Sequence, residues 1–379
     1  MRDFADLRPT APDITLARAK ALAARAGLVS VRDITALSGL GLPVFASERP
    51  EALGDHFAFG KGLRAIDAEI GALMEALEFH WAEPGRAPIE TRWGKASDLP
   101  HPLAEFAART DVDVRGSEKL LLARAQNIET GAEAWLPAEL VFFPAPETAA
   151  TFFGSSSNGL ASGNTVLEAS FFALLELMER DIWSLEFVRD SSLLVTALPL
   201  EFEALQARAI KSGLRLLART VPNDYGIPFF TAFLFDPERP QTHLFNGGWG
   251  CRPGKIAALR QAVCEVAQSR AAYLDGARRC EERGHDLDAQ IEAVVRPEPA
   301  VTFAAIADLP FTGGLEEQWT QLRACLNRVV ARPIYRVVYT DEDCPLQAVR
   351  LIVPLLEHFT PQTMRAGPRL IALLEADGA

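Results

Sequence analysis

No apolar run in this chain is long enough to cross a bilayer. The N-terminal MRDFADLRPTAPD has no apolar signal core. Cysteine is scarce and irregular. The five residues Cys251, Cys264, Cys280, Cys325 and Cys344 form no CxxC pair and their number is odd, so neither a disulfide framework nor a zinc ribbon is expected. The expected compartment is a reducing cytoplasm, with the thiols as small buried hydrophobes. An excess of positive charge is also missing. The net charge is −12, which argues against a general nucleic-acid surface. Walker A, GxSxG and HExxH sequences are all absent, which excludes a P-loop enzyme, a serine-hydrolase elbow and a zincin.

What remains is 379 residues of globular composition, 49% hydrophobic and 23% charged. A helix is expected from about residue 10 to Gly27, with Thr10 and Asp13 at capping-box spacing and Pro12 in the first turn. Two short strands with a loop around residues 38–41 follow, and then a helix over 64–82 whose stripe is Ile66, Ile70, Leu73, Leu77 and Trp81. Residues 84–116, rich in Pro, Gly and charge, read as a loop. Strand material is expected within 133–144, 226–237, 242–250 and 332–342. Helices are expected over 165–187, 201–218 and 255–278, near 286–294 and over 315–329. The irregular alternation points to one large α+β domain spanning 1–379, with a core over about 8–355 and a tail over 356–379.

Three segments share one layout: FGKGLRAIDAEIGALMEALEFHWAE, NGLASGNTVLEASFFALLELMERD and NGGWGCRPGKIAALRQAVCEVAQSR. Each runs from a Gly-rich turn into a helix. About fifteen residues on comes an acidic residue, with a second oxygen-bearing side chain three further along. The pairs are Glu75/Glu78, Glu176/Glu179 and Glu265/Gln268. Residues i and i+3 are neighbours on a helix, roughly 5–6 Å apart at Cβ. The apolar stripe (Leu73/Leu77, Leu174/Met178, Val263/Val266) points another way. A single E-x-x-E pair is ordinarily a solvated face. Three in matched contexts, one inside SFFALLELM, point instead to enclosed carboxylates, which need cations or strong donors. Carboxylates converging on one cavity would suit Mg²⁺, and Gly-rich helix starts would suit phosphate.

These segments resemble the YcaO superfamily of ATP-dependent enzymes that modify peptide backbones. The resemblance rests on Ser162-Gly-Asn-Thr…Glu168…Glu176-x-x-Glu179-Arg180-Asp181, on Gly60-Lys61-Gly…Glu75-x-x-Glu78 and on Gly248-Trp-Gly…Glu265-x-x-Gln268-x-Arg270, and it spans roughly residues 8–355. It implies ATP and Mg²⁺ as cofactors. It implies metal ligation by Glu75, Glu78, Glu176, Glu179 and Glu265. Nucleotide contacts would come from Ser162, Asn164, Glu168, Arg180, Gln268 and Arg270, with Lys61 at a phosphate or capping its own turn, and Arg8 and Thr15 near the N-terminus. For Arg180, an ion pair with Asp181 or Glu176 stands as the structural alternative. His80 and His101 have no evident role. Where many relatives carry Arg after the second Glu of the first motif, this chain has Phe79. The continuation Phe79-His80-Trp81-Ala82-Glu83 and the opening R-x-x-x-P-x-x-T-L-A-R resemble a TfuA-associated subgroup.

The reaction implied is amide activation: a nucleophile adds to a backbone carbonyl and the oxyanion is phosphorylated by ATP. An internal Cys, Ser or Thr gives an azoline; external sulfide gives a thioamide. Azoline formers of the superfamily commonly end in PxPxP, whereas this chain ends GPRLIALLEADGA with Pro368 alone. The expectation is therefore thioamidation of a ribosomally made precursor peptide, with cyclodehydration as the alternative. A TfuA-like or E1-like partner protein is expected, homodimerisation is plausible from the apolar content, and neither nucleic acid nor membrane is a partner. A non-catalytic scaffold and a carboxylate–amine ligase are the readings from other classes.

Overall fold

The computed structural model describes residues 8–112, 119–147, 151–238, 244–276, 287–360 and 363–377. In chain order the helices are α1 (Pro12–Ala23), α2 (Ala65–Ala82), α3 (Val166–Val188), α4 (Leu200–Lys211), α5 (Lys255–Leu274), α6 (Leu287–Val295), α7 (Leu315–Val329) and α8 (Pro368–Asp377). The strands are β1 (Ser30–Asp33), β2 (Val44–Glu48), β3 (Phe57–Lys61), β4 (Thr91–Lys95), β5 (Lys119–Asn127), β6 (Glu133–Pro137), β7 (Leu160–Gly163), β8 (Leu193–Thr196), β9 (Arg215–Thr220), β10 (Phe229–Phe235), β11 (Asn246–Cys251), β12 (Ala300–Thr302), β13 (Tyr335–Val338) and β14 (Gln347–Ile352). The mixture is α+β, as the irregular alternation predicts. No helix among the described residues is long and apolar enough to cross a membrane.

The chain divides into two compact units. Unit 1 comprises Met1–Pro50, Phe57–Ala76 and Ser191–Phe311. It contains an antiparallel sheet in the order β1-β2-β3 and a five-stranded sheet in the order β11-β10-β9-β8-β12. Helix α5 lies on β10 and β11. Small residues make that approach possible. Ala258, Ala262 and Ala267 of α5 are fully buried, and a Cβ on Gly248 of β11 would stand 2.3 Å from the Ala262 carbonyl oxygen. Phe230, Ala232 and Leu234 of β10 complete the same core.

Unit 2 comprises Glu51–His56, Leu77–Asp190 and Thr312–Ala379. Its sheet runs β4-β5-β13-β14-β7, with β6 paired to β5. Strand β14 is buried at all six positions, and α3 packs on β14 and β7. Phe171, Ala173, Leu174, Leu175 and Met178 of α3 are wholly buried, as befits a helix that is apolar most of the way round.

Several local expectations are corrected. No side chain caps α1; the N-cap is Ala11, whose carbonyl accepts from the Ile14 and Thr15 amides at 3.1 Å, so Pro12 with its fixed φ starts the helix rather than a Thr10/Asp13 box. The helix expected over 201–218 stops at Lys211, because Gly213 takes φ +70° and the chain turns into β9. Residues 91–95, within the expected loop, form β4, a sheet-edge strand whose charged, exposed side chains hide its strand character. The segment 356–379 carries α8. Part of the expected 255–278 helix, with Cys280, lies outside the described residues.

Candidate nucleotide and metal site

The three repeated segments are strand-to-helix units: β3 into α2, β7 into α3 and β11 into α5. The glycines read as turns lie largely within the strands. A Cβ on Gly60 would meet the Ala68 carbonyl oxygen at 1.8 Å, and the Gly163 position crowds the Ala169 amide at 2.9 Å. They let each helix settle onto the strand before it. The expectation that these glycines cradle phosphate is thereby given a packing explanation.

In unit 1, Glu75 on α2 is half-buried and its Oε2 accepts the Phe59 amide of β3 at 2.5 Å. Glu265 on α5 is mostly buried and pairs with Lys61, Nζ to Oε2 at 3.3 Å. Gln268, one turn on, is buried. Arg270 places Nη1 in the interior without an acceptor among the described residues. Burial holds its pKa below the ordinary arginine value, with Asp236 opposing. A guanidinium N–H in this state is a ready donor for a phosphate oxygen. Thr15 is buried and donates to the Ala11 carbonyl at 3.4 Å, while Arg8 is exposed.

Cys264 borders a cavity of about 210 Å3 lined also by Leu42, Leu63, Phe202, Arg208 and Arg260. Burial pushes its thiol up to about 12, against the opposing pull of Lys61 and Arg260, so it stays protonated and is a poor nucleophile or metal ligand. The described thiols Cys251 and Cys325 are likewise buried; Cys344 is only partly so.

In unit 2, Ser162 on β7 donates to Glu78 Oε1 at 2.5 Å, holding that carboxylate in one orientation. Thr165 caps α3, its Oγ1 accepting the Glu168 amide at 3.1 Å. Glu168, fully buried, turns back and accepts from the backbone amide and side-chain Nδ2 of Asn164, at 3.1 and 3.4 Å. Asn164, Thr165 and Glu168 therefore form a capping arrangement at the helix start, one legible in Thr165-x-x-Glu168 but not drawn from it.

Further along α3, Glu176 is half-buried and Glu179 buried. Arg180 lies 3.8 Å from Glu179, Nη2 to Oε1, and its Cζ stands 5.7 Å from the Trp183 ring centroid. Glu179 is thus a partner of Arg180 beside the expected alternatives, Asp181 and Glu176. Asp181, wholly buried, instead accepts from Arg369 at 2.6 Å and from the Glu357 amide at 2.8 Å. The Glu357 carboxylate in turn accepts the Gly367, Arg369 and Leu370 amides at the start of α8. This network, anchoring the helix beside Arg180, joins residues too far apart in sequence for any local spacing to reveal it.

His101 also has partners after all: the Tyr335 hydroxyl at 3.0 Å and Glu105 at 3.4 Å. Burial, the largest influence, lowers its pKa. Among the described residues no three His, Cys, Asp or Glu side chains converge tightly enough to hold an ion by themselves. Mg²⁺ seldom asks for that, since it is commonly held by one or two carboxylates together with water and phosphate oxygens. The hard-oxygen donors and the unsatisfied Arg270 donor fit a Mg²⁺–nucleotide.

Residues 59–357 match the family described as YcaO cyclodehydratase, ATP- and Mg2+-binding. The chain belongs to the YcaO family. Its cofactors are accordingly ATP and Mg²⁺. An uncharacterized protein of Methanothermobacter thermautotrophicus is 30% identical over 378 residues, covering 91% of this chain and 93% of its own. An uncharacterized protein encoded in the tfuA 3′ region of Rhizobium leguminosarum bv. trifolii is 30% identical over 380 residues, covering 91% and 87%. The fold is similar to that of YcaO from Methanopyrus kandleri bound with AMPPCP and Mg2+, with a TM-score of 0.78, 24% identity and 95% coverage of each chain. It is also similar to a heterocyclase in complex with substrate and cofactor, with a TM-score of 0.77, 19% identity and coverage of 98% of this chain and 55% of that one.

Proposed function

We propose that this YcaO protein uses Mg²⁺–ATP to exchange a backbone carbonyl oxygen of a ribosomally made peptide for sulfur, giving a thioamide, with a TfuA-like partner delivering sulfur. The observation that carries the finer reading is the relative encoded in the tfuA 3′ region, similar along 91% of this chain. Phe79, standing where many family members have arginine, supports the same subgroup.

In this reading Glu75, Glu78, Glu176, Glu179 and Glu265 are the metal ligands. Arg180, Arg270, Gln268, Asn164 and Lys61 contact the nucleotide, and Arg8 and Thr15 serve it from the N-terminal segment. Ser162 acts through Glu78, whose carboxylate it orients. Glu168 acts through the helix start that it caps. The metal would offset charge on the triphosphate and on the developing oxyanion. The protein's own work is to position and neutralise: the guanidiniums of Arg180 and Arg270 offer planar donors, and the protonated Cys264 takes no part. The exchange balances without a redox partner. Hydrosulfide, amide and ATP give thioamide, ADP and hydrogen phosphate, the amide oxygen leaving on phosphate and the hydrosulfide proton with it.

The test is incubation of the purified protein with the peptide encoded beside its gene, its partner, sulfide and ATP, followed by mass spectrometry. Thioamidation exchanges one oxygen for one sulfur. Loss of water would replace it with the azoline-forming reading, which the family description favours, and an E1-like partner would then be sought. No ATP turnover with the cognate peptide would overturn both and leave a scaffold role.

A further inference from the structure

Unit 2 carries a concentration of buried positive charge that the proposed nucleotide contacts do not use. Arg350 sits on the wholly buried β14 and is 3% exposed. Its Nη2 donates to the Ser156 carbonyl. Its Nε and Nη1 are buried and find no acceptor among the described residues. Arg365, 4% exposed, donates through Nε and Nη2 to the Ala107 and Phe106 carbonyls, both at 2.8 Å. The two arginines line one pocket of about 20 Å3 together with Asn158, His358 and Leu177.

The pocket is rich in donors and poor in acceptors. Asn158 Nδ2 lies 3.5 Å from His358 Nδ1, which leaves the second imidazole nitrogen as the donor in a neutral ring. Burial, reinforced by Arg365, Arg350 and Arg180, keeps that ring neutral. The nearby carboxylates are engaged elsewhere: Glu139 accepts the Phe152 and Phe153 amides, and Glu357 accepts those at the start of α8. Glu176 favours the Arg350 charge from α3, and the Tyr339 hydroxyl donates to the Val141 carbonyl while its oxygen accepts from the Arg350 guanidinium. The space suits one guest the size of a water molecule or a single-atom anion. A water would have to place two hydrogens on acceptors, and the lining side chains offer few. An anionic guest that is chiefly an acceptor meets the unsatisfied guanidinium N–H groups directly.

We propose that this pocket binds one small monovalent anion, of the halide or hydrosulfide class, on the Arg350 guanidinium. The hydrosulfide source rests on the thioamide reading; the anion site itself does not. The test uses crystals of the full chain soaked in bromide, without ATP or peptide, with anomalous diffraction recorded at the bromine edge. A single buried bromide against Arg350 is expected, weakened about 10-fold in affinity by Asn158→Asp, which puts a negative charge into the same volume. A water there with no anomalous signal would overturn the proposal, and needs no variant to fold. In the second arm sulfide competes with bromide. Displacement at comparable concentration supports hydrosulfide as the natural guest; bromide retained against excess sulfide overturns that source and assigns the pocket to halide. Neither arm depends on ATP turnover, so failure here is distinct from failure of the thioamide reading.

Discussion

The β11–α5 segment of unit 1 and the β7–α3 segment of unit 2 are built to one plan, yet they treat their carboxylates differently. In unit 1, Glu265 is matched by a lysine, Lys61 of β3, and α5 begins at Gly254 with the Lys255 amide held by the distant Asp308 carboxylate at 2.6 Å. In unit 2, the start of α3 is closed by Thr165, Glu168 and Asn164, and its acidic end is set among arginines: Arg180 by Glu179, Arg350 near Glu176, Arg369 on Asp181. The repeat supplies geometry, and the surroundings decide what each carboxylate can do.

The largest expected effect separates the two segments. Glu176→Gln is expected to lower peptide-dependent ATP turnover by about 100-fold or more with little change in melting temperature. Glu265→Gln, removing a charge that Lys61 already offsets, is expected to lower it by about 10-fold. Equal losses would show that the two carboxylates share the work evenly and would break the contrast. Next, Asp181→Ala is expected to destabilise the protein by about 3 kcal/mol in urea unfolding, because it removes the wholly buried carboxylate that accepts from Arg369 and leaves the buried Glu357 amide without that acceptor. A loss within 0.5 kcal/mol, on the order of an exposed pair, would show the network to be incidental.

A third contrast is with pH. Burial lowers the pKa of His358 and His101, both in unit 2, so the folded protein binds fewer protons there than the unfolded chain. Their contribution is fully present above the unfolded histidine value of about 6.5 and is lost as pH falls below it. Stability should therefore fall between about pH 7 and pH 5, and His358→Gln should flatten that slope. An unchanged slope would remove His358 from the account. The smallest effect is local: Thr165→Ala should cost about 1 kcal/mol by removing the α3 cap, whereas the first amide of α5, Lys255, is held by Asp308 from a distant part of the chain and is untouched.

Much of this was legible in the residues. The 3.6-residue periodicity of Ile66, Ile70, Leu73 and Leu77 and the greasy run around Glu176 placed α2 and α3 within two residues at each end. The recurrence of Glu75/Glu78, Glu176/Glu179 and Glu265/Gln268 identifies the three matched helices, though as turn–helix rather than strand–helix units. What escaped has specific causes. Strand β4 presents charge because it is an edge. The glycines of β3, β7 and β11 look like turns in a one-dimensional pattern, but their missing Cβ serves contacts with residues several positions along the next helix. Arg350 and Arg369 lie far along the chain from the groups they serve, so no local spacing reveals them.

The central claim is that these acidic helices bind nucleotide through a divalent ion. Isothermal titration of ATP into the protein tests it most directly, with and without Mg²⁺, for the native chain and for Glu176→Gln. Binding that requires Mg²⁺ and is lost in the variant is the predicted result; binding of equal strength in the presence of a chelator, or in the variant, would contradict it.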